Sequence, residues 1–138
     1  MTTVTVSEDI KGKAADVWAA LSDFGAVPVG GAIKWVDVEG KGVGMVRTIG
    51  LGGAKVVERL DRFDPKAMIF GYSIQNDDCP LPVKGYVATV KITDKGNGTC
   101  NVNWSGTFQP KGPEADAVKV VEGIYKGLIA GGRRAVGG

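Results

Sequence analysis

Histidine is absent from this 138-residue chain. Its absence removes the commonest general base and the commonest transition-metal ligand, and with them Ser/His/Asp chemistry, Cys/His chemistry and His-based metal centres. Cysteine is nearly missing too: Cys79 and Cys100 are the only two. They form no CxxC, and free thiols are expected rather than a disulfide. Charge of one sign is lacking, since 17 Lys and Arg against 15 Asp and Glu leave a formal +2. The lysines are scattered, which gives no footprint for nucleic acid. No window approaches the roughly 18 apolar residues that a membrane span requires. The opening MTTVTVSED has neither a basic n-region nor an apolar h-region, so a cytoplasmic protein is expected. Phosphate loops are missing as well: GKGVGM lacks the GxGxxG spacing and a following helix, and no GxxxxGK[ST] occurs.

What is present suits a globular protein. Hydrophobic residues make up 43% of the chain, and the length predicts one domain over residues 1–138 with a real core. Thr3 to Ile10 alternates, with Val4, Val6 and Ile10 on one side, as a first strand does. From Ala14 the period becomes helical, and Val17, Trp18, Leu21 and Phe24 form a stripe. Ser22 to Gly31, with Pro28 and several glycines, predicts a break or a short irregular helix. In AIKWVDVEG, Lys34, Val36 and Val38 share one face. The valines turn that face inward, which carries the Lys34 side chain under the core, while Trp35 on the other face asks for cover of its own.

The segment from Gly44 to Phe63 predicts a β-hairpin around Gly50-Leu51-Gly52-Gly53. With Gly52-Gly53 as the turn, Ile49 faces Val56, Arg47 faces Glu58 and Met45 faces Leu60. Strand alternation puts all six on one face. A cation and an anion then stand opposite each other in an apolar ladder. Asp61 to Lys66 contains an Asp-Pro turn signal, and Met68 to Gln75 predicts a strand. Asn76 to Pro82 is a loop, because Pro80 and Pro82 exclude a central strand. Val83 to Thr93 places Tyr86, Ala88, Val90 and Ile92 on one face. After a turn at Lys95 to Gly98, Thr99 to Phe108 predicts the last strand. Val118, Val121, Ile124, Tyr125, Leu128 and Ile129 then form a long helical stripe, with Pro113 at its start and Gly131-Gly132 at its end. Arg133-Arg134 is expected to be a solvated tail. The order predicts an α+β protein with a long helix laid on an antiparallel sheet.

That order, with AIKWV, VRTIGLGG, the triplet Glu58-Arg59-Leu60 and the run Gly71-Tyr72-Ser73-Ile74, resembles the START/Bet v 1-like superfamily, also called the polyketide cyclase and lipid transport group. The segments are similar to those of plant abscisic acid receptors and of lachrymatory-factor synthase. The resemblance implies a helix-grip fold, in which a seven-stranded curved sheet wraps the C-terminal helix around a cavity, with one or two short helices after the first strand. It implies ligand contacts at Lys34, Arg47, Glu58, Tyr86 and Ala88, and a gate loop at Gly50, Leu51, Gly52 and Gly53. In an enzyme of this group Glu58 and Arg47 would serve proton transfer. The chain departs from the receptors at Cys79-Pro80-Leu81-Pro82, where they carry a His-Arg-Leu latch, and at Gly52, where they carry proline.

Arg47 and Glu58 have a plainer role open to them as a structural ion pair. Such a pair is worth on the order of 4 kcal/mol of Coulomb energy at 4 Å and an effective dielectric near 20, less its desolvation cost. Lys34 has snorkelling as its alternative, and Tyr86 a place as a bonded core aromatic. The expected function is binding of a small hydrophobic or amphipathic molecule without a cofactor or metal. The alternatives are a cofactor-independent cyclase, isomerase or dehydratase in the same cavity, and an interaction module whose interior is filled by its own side chains. Sequence leaves the ligand and the oligomeric state open.

Overall fold

The structure, a computed structural model, describes all 138 residues. Its elements are β1 (Thr2–Lys11), α1 (Ala14–Leu21), β2 (Trp35–Glu39), β3 (Val46–Gly50), β4 (Lys55–Asp64), β5 (Ile69–Ile74), β6 (Val83–Gly96), β7 (Thr99–Pro110) and α2 (Glu114–Ala135). The seven strands form one antiparallel sheet in the order β1-β7-β6-β5-β4-β3-β2. From β2 to β7 each strand pairs with the next, and β1 closes on β7, so β1 and β2 are the two edges. Register shifts between Leu60 and Arg62 and between Lys84 and Val87 mark bulges, which bend strands and increase their twist. The helix α2 packs against β1, β7 and α1. This is the expected helix-grip fold, with one short helix after the first strand.

Alternation explains the inner face. Along β7, Cys100, Val102, Trp104, Gly106 and Phe108 are buried in turn, and along β6 so are Tyr86, Ala88, Val90 and Ile92. On α2 the buried residues step by four from Ala117 through Val121 and Tyr125 to Ile129 and then by three to Gly132, as one face of a helix does. Both cysteines are buried and free. No helix is long and apolar enough to cross a membrane.

The hairpin register is the expected one: Arg47 pairs with Glu58 and Ile49 with Val56. The Leu60 amide donates to the Met45 carbonyl at 2.9 Å. Gly52 takes a φ of +86° in the turn, a conformation open to glycine at little steric cost. Gly50 has a different reason to be glycine. The Trp35 indole lies directly over it, where a Cβ would collide with the ring, although Trp35 stays exposed and the cover expected for it is only partial.

The segment from Ser22 to Gly31 is the break, one of the two forms expected for it. Several details differ from expectation. β4 continues to Asp64, and the turn begins at Pro65. α2 runs through Gly131-Gly132 to Ala135, because Gly132 lies against Leu21 of α1, where a Cβ would come within 2.9 Å of that side chain. Arg133 is no solvated tail: its guanidinium donates to Glu8 Oε1 at 3.1 Å and to the Asp9 carbonyl at 2.9 Å, tying the end of α2 to β1.

Candidate functional site

Between the sheet and α2 lies a cavity of about 700 Å³, with 20 hydrophobic residues among the 28 that line it. That volume sits inside the range of small-molecule sites, roughly 300 to 1,000 Å³, and it excludes an interior filled by its own side chains. The lining residues that are also exposed mark the mouth, among them Asp23, Ala26, Pro28, Gly127, Leu128 and Arg134. Buried lining residues mark the floor, among them Phe70, Tyr72, Tyr86, Trp104 and Tyr125. Part of the open space comes from α2 itself. Gly127 lines the cavity, and a Cβ there would meet no atom within 4 Å. A glycine inside a helix costs about 1 kcal/mol relative to alanine, so this wall is left bare at the expense of helix stability.

Two polar groups face this apolar space. In the first, Arg47 Nε donates to Glu58 Oε1 at 2.8 Å and Arg47 Nη1 donates to the Phe24 carbonyl at 2.9 Å. The guanidinium carbon also lies 3.9 Å from the centroid of the Phe24 ring, a cation–π arrangement. The side chains keep 15% and 10% of their surface, so the pair is shielded but still reached from the cavity. No protein donor meets the other oxygen of Glu58, Oε2.

The second group is a chain of hydroxyls. The Trp104 indole N–H donates to the Tyr72 hydroxyl at 3.2 Å. The Tyr72 hydroxyl lies 3.3 Å from that of Tyr86, which lies 2.5 Å from that of Tyr125. These are the only three tyrosines of the sequence. Burial is the main cause that raises the pKa of each, Tyr72 to about 12, with the Glu58 carboxylate adding to the effect on Tyr72 and Tyr125. All three are therefore neutral at ordinary pH. Gly106 makes the arrangement possible, because a Cβ there would collide with the Tyr125 hydroxyl.

The expected site residues divide. Arg47, Glu58 and Tyr86 line the cavity, and so does Leu51 of the loop Gly50 to Gly53, whereas Gly52 and Gly53 are exposed. Lys34 requires a correction. Its side chain is exposed and outside the lining, and Nζ donates to the Gly31 carbonyl at 2.9 Å. The cause is local: β2 begins only at Trp35, and a bridge between Gly30 and Ile33 redirects the chain before it, so Ile33 lines the cavity instead. Ala88 is buried between Tyr72 and Gly106 on neighbouring strands and lies below the lining. Tyr72, Trp104 and Tyr125 were not among the expected contacts. The signal for them is Gly106, a lone glycine at an inward position of a strand, which marks the close approach of another group. No cluster of three or more His, Cys, Asp or Glu side chains is placed to hold a metal ion.

The model of a family described as polyketide cyclase / dehydrase and lipid transport matches residues 1–137. Among solved structures, a putative uncharacterized protein from Bacillus thuringiensis is 29% identical, with 98% of each chain covered and a TM-score of 0.83. The protein XoxI from Bacillus cereus is also 29% identical, with 99% of this chain and 96% of that one covered and a TM-score of 0.83. Norcoclaurine synthase from Thalictrum flavum, solved with dopamine and hydroxybenzaldehyde, shares the fold at 19% identity, covering 98% of this chain and 83% of its own, with a TM-score of 0.72. No curated protein sequence matches the chain significantly.

Proposed function

Because this chain belongs to the polyketide cyclase / dehydrase and lipid transport family, we propose that it binds a small, mainly apolar molecule between the sheet and α2. The observation that carries this reading is the open cavity of about 700 Å³ with its hydrophobic lining. Apolar sites hold their ligands by area and orient them by a few polar groups. Here Arg47, Glu58 and Tyr86 take the second role, and Leu51 joins the wall from the hairpin loop. Native mass spectrometry of the freshly purified protein tests the reading. We expect a mass increment of a few hundred daltons, on the order of a drug-sized ligand, that disappears on denaturation. A bare chain mass, together with no uptake of added apolar probes, would count against it.

A second reading is favoured by one feature, the free oxygen of Glu58. Arg47 fixes the carboxylate through Oε1, which leaves Oε2 to take a proton from a bound molecule, as a general base does. The hydroxyls of Tyr72 and Tyr86 would stabilise the negative charge that develops on the substrate. This is the layout of a cofactor-independent cyclase, isomerase or dehydratase. The Glu58→Gln variant separates the two readings: for an enzyme, turnover collapses while ligand affinity survives; for a carrier, affinity alone changes.

A further inference from the structure

We infer that the molecule held in the cavity carries a neutral hydrogen-bond-accepting oxygen of the carbonyl class, seated against the hydroxyls of Tyr72 and Tyr86. This rests on the reading of the cavity as a binding site and adds the chemistry of its ligand.

Three tyrosine hydroxyls supply three O–H donors, and they meet one another in two contacts, Tyr72 with Tyr86 and Tyr86 with Tyr125. The only other polar partner is the Trp104 N–H, itself a donor to Tyr72, and it offers no acceptor. However the two contacts are donated, one O–H proton is left without a protein acceptor. An unsatisfied buried donor is costly, whereas a made hydrogen bond is mildly favourable. Tyr125 retains 0% of its surface, against 2% for Tyr72 and 5% for Tyr86. All three line the cavity, but only Tyr72 and Tyr86 keep accessible surface, so the arrangement that avoids the cost turns the remaining donor toward the cavity at one of these two.

Charge narrows the acceptor further. The one cation beside the floor, Arg47, is already matched by Glu58 at 2.8 Å. A ligand carboxylate on the floor would find no unpaired cation, since the other lining arginine, Arg134, stands at the exposed mouth with the Asp23 carboxylate also in the lining, and desolvating an unpaired charge is expensive. A neutral carbonyl oxygen pays no such penalty. Burial keeps the tyrosines protonated, so the donor persists across the ordinary pH range. A pure hydrocarbon would fill the volume and leave the donor unmet.

Three probes of one shape test this: 2-acetylnaphthalene, 2-isopropenylnaphthalene, in which =CH2 replaces the ketone oxygen, and 2-naphthoate. Each is titrated calorimetrically into the wild-type protein and into the Tyr72→Phe/Tyr86→Phe/Tyr125→Phe variant, which keeps the rings and removes all three tyrosine hydroxyls. We expect the variant to bind the ketone about two- to tenfold more weakly while the alkene changes by less than about twofold. Naphthoate should bind wild type less tightly than the ketone. An equal change for ketone and alkene, or naphthoate binding as tightly as the ketone, would overturn the inference. Should the variant fail to fold, isotope-edited infrared spectra of carbonyl-labelled 2-acetylnaphthalene on the wild-type protein decide: the stretch must fall below its position in hexane, and a hexane-like position overturns the claim. A parallel titration with the neutral dye N-phenyl-1-naphthylamine separates the two levels. Uptake of that dye without displacement by the ketone sinks the inference alone; no uptake of dye or ketone sinks the binding reading and the inference with it.

Discussion

Arg47 and Glu58 satisfy each other, with the Phe24 carbonyl and ring completing the shell around the guanidinium. Tyr72, Tyr86 and Tyr125 also bond to one another, yet their chain ends with a donor to spare. The first cluster is closed in charge, the second open in hydrogen bonding, and Tyr72 joins them, its ring 5.6 Å from the Arg47 guanidinium carbon. The contrast teaches that the more conspicuous polar group in a cavity need not be the one that selects a neutral ligand. Charges that neutralise each other shape a wall; a leftover proton recognises an oxygen.

The largest way to break the comparison is to open the closed cluster. Glu58→Ala leaves a shielded guanidinium without its carboxylate, and such a loss typically costs about 3 to 5 kcal/mol, read from urea unfolding. The double change Arg47→Met/Glu58→Leu removes both charges and should stay within about 1 kcal/mol of wild type or exceed it. If the single variant were as stable as the double, the pair would not be internally compensated.

Raising the pH attacks the open cluster. Burial pushes the Tyr72 hydroxyl up to about 12 from its ordinary 10.0, so above pH 10 the unfolded chain loses a proton that the native state retains. Stability is then fully present below about pH 10 and falls as pH rises toward 12, by about 1.4 kcal/mol per pH unit for Tyr72 alone. Tyr86 and Tyr125 are raised as well and act in the same direction. Since the chain has no other tyrosine, tyrosinate absorbance in the near ultraviolet reports on this cluster only. It should appear together with unfolding. A smooth titration near pH 10 with the fold intact would mean that the hydroxyls are not buried.

A smaller effect comes from Gly106→Ala, whose Cβ would strike the Tyr125 hydroxyl. We expect a loss of about 1 to 3 kcal/mol, as overpacking usually costs, and its partial recovery in Gly106→Ala/Tyr125→Phe, where the obstructing oxygen is gone. Simple additivity of the two changes would deny their contact. The smallest change, Gly127→Ala, should stabilise the protein by up to about 1 kcal/mol, because its Cβ enters open space.

How far the sequence could be read follows from the range of the interactions. The hairpin register was legible because a local turn fixes it, and register plus alternation brought Arg47 and Glu58 together from positions only eleven apart. The inward faces of β6 and β7 and the stripe of α2 were legible for the same periodic reason. Lys34 was misplaced because alternation holds only inside a strand, and β2 starts one residue later. The end of α2 was misplaced because Gly131-Gly132 reads locally as a stop, whereas the approach of Leu21 makes Gly132 part of a helix crossing. The hydroxyl chain joins β5, β6 and α2, with Tyr86 and Tyr125 separated by 39 positions. Nothing local encodes a contact of that range, and only the inward Gly106 hinted at it.

The account stands on an accessible cavity beneath α2, and Gly127 is where it is most directly tested. Titration of the neutral dye N-phenyl-1-naphthylamine into wild type and into Gly127→Leu, with folding checked by circular dichroism, compares an open mouth with one obstructed by a leucine side chain. The account predicts a saturable site on the wild-type chain and affinity weakened by about tenfold or more, about 1.4 kcal/mol, in the variant. Equal dye binding by two equally folded proteins would contradict it, because the dye would then be held somewhere other than this cavity.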